Sequence, residues 1–439
     1  LRKHSPKRNT RAEYRKTETK QAPIVAEQAK KLVFMVDDDI TMCDLVGTII
    51  RKRGYAFEAI HRYEGALESI ATNQPDLVLL DLHLPDGSGL NLCQTLKKHA
   101  RTHQIPVFML TTREFSIEKE VALQSGAEYF FHKPFDRHEF VNYIDSFLSP
   151  SVEIEFFGVR GSTPCANKEN MIYGGNTTCM EIRIPNSDEL LILDSGSGIR
   201  NLGNKLMKQK KQLKGHIFIT HPHWDHIQGF PFFKPIYVPQ NQFTIHMPQQ
   251  ISGGCKEVLA GQMTYTYFPV TPEMLMAEID YVTQASALQE YNGYKIEFML
   301  ANHPVTTAIY KIHVDNTVII FCPDNELIPS EAEKQTPFYR HMKEFFRNAD
   351  IVIHDAQYDR AGYGPRRNWG HSAWEEATEL CAELNVKHLY LTHHDPDSSD
   401  EQLKATDKKL GQYAHHFHTL KMAREGMVHR VARKNVESK

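Results

Sequence analysis

The sequence contains no apolar run near the roughly 18 to 20 residues that cross a bilayer, and its first residues lack the apolar segment of a signal peptide. These absences argue against a membrane-spanning or exported chain, so the cytoplasm is the expected compartment. No Cys-x-x-Cys pair occurs, and the seven cysteines are scattered and odd in number. That argues against a disulfide framework and fits a reducing compartment, with the thiols filling cores rather than binding metal. Charge of one sign is also scarce: the net charge is -3, and outside the first 30 residues the balance is acidic, a poor footprint for a large polyanion. Histidine is what the chain has in excess, 24 residues, much of it in the C-terminal two thirds.

At 439 residues, 41% hydrophobic and 24% charged, the chain is that of an ordinary protein of two or three domains. It opens on Leu1 rather than Met, as a fragment or an unusual start would. Residues 1–30 are rich in Lys and Arg with no apolar periodicity before Ile24-Val25, and are expected to form a disordered, solvated tail.

The densest chemistry lies in Thr220-His221-Pro222-His223-Trp224-Asp225-His226. The run Gly215 to Thr220 before it alternates bulky apolar residues and reads as a buried strand, so the histidines emerge at a strand's carboxyl end, where open α/β architectures place ligands. His221 and His223 point the same way and suit one metal, while Asp225 and His226 are offset toward a second. Two metals about 3.5 to 4 Å apart can hold a bridging hydroxide for in-line attack.

From Lys31 to about Leu148 short apolar strands alternate with amphipathic helices. Strands are expected at Leu32 to Val36, Ala56 to Ile60, Leu77 to Leu80, Val107 to Leu110 and Tyr129 to Phe131, implying an α/β fold with a doubly wound five-stranded parallel sheet. Asp37 and Asp38 follow the first strand, Asp81 the third, Thr111 the fourth and Lys133 the fifth. Carboxylates converging on one edge repel unless a cation sits among them, and hard oxygen ligands suggest Mg²⁺. This set, in this order, resembles the receiver domain of two-component response regulators over residues 31–149. The resemblance implies that Asp81 accepts a phosphoryl group from a cognate histidine kinase, that Asp37 and Asp38 help hold Mg²⁺, that Thr111 bonds the phosphoryl oxygens, that Lys133 pairs with its charge and that Phe130 is the aromatic switch. Only Ser149-Pro150-Ser151 then separates this domain from a strand Val152 to Phe157, too short a connection for a floppy tether.

The motif His-x-His-x-Asp-His after an apolar strand resembles the metallo-β-lactamase fold, an αββα sandwich, over residues 152–430. Phe157-Gly158-Val159-Arg160-Gly161-Ser162, Tyr173-Gly174-Gly175-Asn176-Thr177-Thr178-Cys179 and Leu193-Asp194-Ser195-Gly196-Ser197-Gly198 resemble its phosphodiesterase branch, near ribonuclease Z. Asp194 is read as a residue orienting a ligand imidazole. The resemblance makes His303 the third imidazole beside His221 and His223. Asp324 becomes the bridging carboxylate, and His393, preferred over His394, joins Asp225 and His226 on the second metal. It also makes Asp355 and His371 a relay, with His371 protonating the leaving alkoxide; the plainer alternative is a histidine at a helix N-terminus beside a capping Ser372. Val305-Thr306-Thr307 departs from the family, where glycines usually follow the third histidine, and should reshape the pocket. Gln262, Tyr265, Tyr267 and Phe268 are expected to border the cleft. Their rings could stack on a base, although a core role is the preferred reading.

The expected function is a response regulator whose output is a dinuclear-metal phosphodiesterase for a small nucleotide phosphodiester such as a 3',5'-cyclic nucleotide. Zn²⁺ fits the ligands best, with Mn²⁺ or Fe²⁺ compatible. A ribonuclease Z-like endonuclease acting on RNA and a non-catalytic metal-binding scaffold are the alternatives, and a lactamase or thiolesterase has less support. No membrane partner is expected; a homodimer is.

Overall fold

The protein is described from a computed structural model that covers residues 30–112, 125–184, 187–284, 288–328 and 330–432. The basic tail, a helix expected between the fourth and fifth receiver strands, and part of the turn at Pro185-Asn186 fall outside the described residues. The chain forms two compact units, Leu1–Phe135 and Asp136–Lys439.

In the first unit, strands β1 (Leu32–Val36), β2 (Ala56–Ile60), β3 (Leu77–Asp81), β4 (Val107–Thr111) and β5 (Tyr129–His132) form one sheet in the order β2-β1-β3-β4-β5. Every pairing is parallel. The central strands are buried on both faces, which is why they read as unbroken apolar runs such as Leu77-Val78-Leu79-Leu80. Asp39 caps the helix Ile40–Lys52 by accepting from Met42 N at 3.0 Å.

The second unit begins with the helix Arg137–Leu148, capped by Asp136, whose Phe147 lies under Arg430 at 4.8 Å. Strand β6 (Pro150–Gly158) starts directly after Ser149, so the connector is one residue, shorter than the three expected. With β7 (Cys179–Arg183), β8 (Glu189–Leu193), β9 (Lys214–Phe218), β10 (Gln242–Pro248), β11 (Glu278–Gln284) and a distant β19 (Val428–Ala432) it builds one seven-stranded sheet, ordered β11-β10-β9-β8-β7-β6-β19. Strands β12 (Gln289–Tyr291), β13 (Tyr294–Leu300), β14 (Ala308–Val314), β15 (Thr317–Cys322), β16 (Ile351–Asp355), β17 (His388–Thr392) and β18 (Thr419–Met422) form the other, in sequence order.

Period-2 alternation decides the layers. Ile319 and Phe321 face the space between the sheets with Phe156, Phe218 and Tyr310. Ile320 and Cys322 face outward, under Met342 and Phe346 of the helix Pro337–Phe346 and Leu380 of the helix Trp374–Glu383. On the other sheet Ile192 and Ile217 face outward against Leu202 and Leu206 of the helix Ile199–Met207. The result is the expected helix-sheet-sheet-helix sandwich.

Candidate metal centre and receiver cluster

Strand ends of both sheets of the sandwich supply one cluster. β9 leads into the histidine loop, β8 into Asp194, β15 into Asp324 and β17 into His393, while Asp355 is the last residue of β16. Asp324 sits at the centre. Its Oδ2 is 3.0 Å from His226 Nε2, and its Oδ1 lies 3.3 Å from His393 Nε2, 3.8 Å from His221 Nε2 and 3.9 Å from His303 Nε2. Asp225 Oδ2 is 3.1 Å from His393 Nε2 and 3.3 Å from His226 Nε2, and accepts from Ser162 N at 2.7 Å. His303 Nε2 and His223 Nδ1 are 3.2 Å apart. All the side chains expected from the sequence therefore meet at one place, in two lobes. His221, His223 and His303 form one triad, Asp225, His226 and His393 another, and Asp324 reaches both.

The outward nitrogens are already committed. His226 Nδ1–H donates to Asp194 Oδ2 at 2.8 Å, and Asp194 Oδ1 also accepts from Thr220 N at 2.7 Å. His303 Nδ1–H donates to Gly370 O at 3.0 Å. Each bond fixes a tautomer and leaves the Nε2 lone pair facing the cluster. His221 Nε2, His226 Nε2 and Asp324 Oδ2 are buried without a hydrogen-bond partner, the last two close together but without the alignment of a hydrogen bond. Unpartnered buried lone pairs from imidazoles and a carboxylate are what divalent transition metals take up, so the residues fit a dinuclear site. His223 is the solvent-exposed member.

The electrostatics point the same way. Burial pushes His221 and His223 below the ordinary histidine range and His303 down to about 4, which keeps them neutral ligand forms. Burial opposes charge on His226 as well, but Asp324, Asp225 and Asp194 outweigh it and raise that ring well above its ordinary value; against the same burial, Asp324 and Asp225 raise His393 to about 9. Asp225 and Asp324 are in turn held well below the usual carboxylate range, burial being overcome chiefly by His226. A cluster that draws positive charge onto two buried rings is one that a divalent cation would neutralise by displacing protons.

Asp355 Oδ2 and His371 Nδ1 are 2.8 Å apart, and His371 Nδ1 is 3.8 Å from Asp324 Oδ1. Ser372 is not a cap: its hydroxyl donates to Asn325 O at 2.5 Å and accepts from Leu327 N at 3.0 Å, while Ala373 holds the N-cap position of the following helix. His393 faces the cluster with φ +61°, whereas His394 Nε2–H donates to Ala423 O at 2.7 Å, away from it. The expected core role fails for Tyr265 and Tyr267, which are about four-fifths exposed in the segment after the helix Cys255–Gln262. Phe268 does pack, edge-on to Phe232. Gln262 Nε2 donates to Ile227 O, and Gln250 Nε2 donates to Thr306 O in the Val305-Thr306-Thr307 turn.

Three supporting residues act through contacts that short motifs do not reveal. Arg160 is fully buried and donates to the carbonyls of Gly174, Asp395 and Ser398, tying the loop after β6 to the segment after His393. A Cβ on Gly161 would come within 2.3 Å of the His393 ring, and one on Gly370 within 2.2 Å of His303 Nδ1. Arg160 and Gly161 stand in the Phe157 to Ser162 motif and Gly370 directly precedes His371, positions that flag all three without disclosing these partners.

In the first unit, Lys133 Nζ is 2.6 Å from Asp37 Oδ2 and 3.5 Å from Asp81 Oδ2. Asp38 is exposed at the same edge, Thr111 is buried, and Phe130 is half-buried. Burial raises Asp81 above its ordinary value, with Lys133 opposing.

A five-stranded parallel α/β unit with an Asp/Asp/Lys cluster at its strand ends, joined to a two-sheet sandwich with a buried His/Asp cluster, defines a receiver-type domain coupled to a metal-hydrolase-type domain. Comparison with known proteins gives the families. Residues 33–145 match the response regulator receiver domain and residues 191–394 the beta-lactamase superfamily domain. The phosphate regulon transcriptional regulatory protein PhoB of Klebsiella pneumoniae is 32% identical over 132 residues, which is 29% of this chain and 58% of PhoB, so the likeness spans only part of that relative. Among the solved structures similar to this chain are two of metallo-β-lactamase-fold or tRNase Z proteins. YhfI of Bacillus subtilis, a metallo-β-lactamase-fold protein, is 17% identical over 63% of this chain and 98% of its own, with a TM-score of 0.46. The short form of human tRNase Z is 17% identical over 64% of this chain and 99% of its own, with a TM-score of 0.44.

The chain is thus a response regulator receiver domain followed by a metallo-β-lactamase-fold domain. The receiver implies a cognate histidine kinase. The His/Asp cluster in this fold suggests a metal-dependent hydrolase. Among the described residues no helix is long and apolar enough to cross a membrane.

Proposed function

We propose that this response regulator acts in the cytoplasm as a phosphorylation-controlled phosphodiesterase, hydrolysing a small nucleotide phosphodiester such as a 3',5'-cyclic nucleotide. The observation that carries the reading is Asp324 standing within 3.0 to 3.9 Å of five imidazoles, one of which, His371, is paired with Asp355. His221, His223, His303 and Asp324 would hold one ion, and Asp225, His226, His393 and Asp324 a second, Zn²⁺ being the best fit to this nitrogen-rich set. Bound there, two such ions supply a hydroxide nucleophile near neutral pH and a Lewis acid for the phosphoryl oxygens.

The chain's own residues do the rest. Asp194, Gly370 O and Ser162 N hold His226, His303 and Asp225 in place. Because His371 Nδ1 is tied to Asp355, the proton it can deliver is the one on Nε2, and its acceptor is the departing sugar oxygen. In the receiver, Asp81 accepts the phosphoryl group, Asp37 and Asp38 hold Mg²⁺, Thr111 and Lys133 bind the phosphoryl oxygens, and Phe130 reports the change. A homodimer is the assembly this reading favours.

The test is hydrolysis of bis(p-nitrophenyl) phosphate, cyclic AMP and cyclic GMP with Zn²⁺ or Mn²⁺, before and after treatment with a small-molecule phosphodonor. Turnover that disappears in Asp225→Ala and loses its phosphodonor response in Asp81→Ala supports the reading. Metal-loaded, phosphorylated protein that leaves every diester intact would end it.

A further inference from the structure

The chain has three tryptophans. Trp374 is in the core at 4% exposure, but Trp224 is 78% exposed and Trp369 60% exposed. Both exposed indoles belong to the cluster's own loops. Trp224 stands between His223 and Asp225, next to the one histidine of the cluster that is open to solvent. Trp369 directly precedes Gly370, whose carbonyl holds His303, and His371, which pairs with Asp355.

Neither ring is on a loose loop. Trp224 is the first residue of the helical turn Trp224–Ile227; its carbonyl accepts from Gln228 N at 2.7 Å, and His226 N donates across it to His223 O at 3.0 Å. Trp369 is held on both sides by one carboxylate. Glu326, buried at 4% exposure, accepts from Asn368 N at 2.8 Å and from Gly370 N at 2.9 Å, and also from the Tyr363 hydroxyl at 2.6 Å. Asn368 and Gly370 both adopt positive φ, +70° and +89°, so the backbone carrying the indole is a fixed turn. Two residues before it, Arg367 is exposed at the same turn. Large apolar rings left in water on pre-ordered backbone lose little entropy when something planar covers them.

We infer that Trp224 and Trp369 form a stacking subsite at the solvent-open edge of the metal centre, which selects diesters that carry a nucleobase. Glu326 is a positioning residue for that subsite. The inference rests on the phosphodiesterase reading for its substrate and adds the group that the protein recognises away from phosphorus. The base stacks on an indole face, which is tolerant of base identity.

The test compares two esters with the same leaving group, thymidine 5'-(p-nitrophenyl phosphate) and methyl p-nitrophenyl phosphate, on the zinc-loaded full-length protein. The expected result is a KM for the nucleoside ester at least about tenfold below that for the methyl ester, a ratio that collapses toward one in Trp224→Ala and Trp369→Ala, and is partly rescued by Phe at either position. Glu326→Gln should raise the KM for the nucleoside ester with a smaller effect on kcat. A ratio near one in the unmodified protein, or one that the tryptophan variants leave unchanged, overturns the inference. A second readout is independent of turnover: quenching of tryptophan fluorescence by thymidine 5'-monophosphate. If neither ester is cleaved but quenching saturates and is lost in the double variant Trp224→Ala with Trp369→Ala, the subsite stands and the hydrolase reading falls. If quenching never saturates, the subsite falls whatever the turnover.

Discussion

Asp194 Oδ2 stands 2.8 Å from His226 Nδ1, and both side chains are fully buried. The carboxylate aims the ring's other nitrogen at Asp324 and makes it a better donor to a cation. Asp194→Asn should keep the fold while lowering zinc affinity by roughly 10- to 100-fold, the usual effect of losing such an orienting partner. Competition with a chromophoric chelator measures it, and unchanged affinity would remove Asp194 from the site.

The Asp355–His371 pair should matter in proportion to how much the leaving group needs a proton. His371→Ala is expected to lower kcat on a cyclic nucleotide by about 10²- to 10⁴-fold, and far less on bis(p-nitrophenyl) phosphate, whose phenolate departs unprotonated. Equal losses on both substrates would mean that His371 places something rather than donating a proton.

Gly370→Ala tests the packing that holds His303. The added methyl would meet His303 Nδ1 at 2.2 Å at a residue with φ +89°, whereas Gly411 has open space around its missing side chain. Gly370→Ala should lose metal stoichiometry and melt lower by a few degrees, with Gly411→Ala close to the parent protein. Metal analysis after dialysis and thermal melts decide this.

In the receiver, Lys133 is the cation between Asp37 and Asp81. Lys133→Ala leaves a buried carboxylate without its partner and should destabilise the unit by about 3 kcal/mol. Millimolar Mg²⁺ should restore part of that by binding the exposed edge of the same cluster. Urea melts with and without Mg²⁺ give the answer; equal losses in both would argue that no cation binds there.

Far from the metal centre, burial holds His388 down to about 4 and His429 down to about 3, and His429 Nδ1 bonds the Tyr390 hydroxyl at 2.7 Å. The unfolded rings bind protons below about 6.5, the native ones only below their depressed values. Their contribution to stability is thus complete above that pH and is lost as the pH falls from about 6.5 toward 4. Denaturant midpoints at pH 7 and pH 5 should differ, and His429→Gln should flatten the difference.

Much of this protein was legible before any coordinates. Short apolar runs in Ile217 to Ile219, Val318 to Phe321 and Leu389 to Leu391 are local signals, and they place the strand ends from which His221, Asp324 and His393 emerge. The order of Asp37, Asp81, Thr111 and Lys133 after successive strands likewise predicts one edge of one parallel sheet. These features depend on backbone periodicity, which short stretches of sequence carry by themselves.

Where two neighbours compete, or where a contact spans the chain, the sequence is silent. His393 and His394 leave the same strand end; a positive φ at His393 and a carbonyl at Ala423 send them opposite ways. Ser372 sits where a cap would sit, yet its hydroxyl serves Asn325 and Leu327, more than 40 residues earlier. Arg160, Glu326 and Gly161 support the site only through partners that the fold brings to them, and the exposure of Tyr265 and Trp369 depends on which faces the other layers happen to cover. Residue types and period thus determined which side chains could bind metal and from which strands they rise; packing between the two sheets decided which of them meet, because that distance is set by chain segments far apart in sequence.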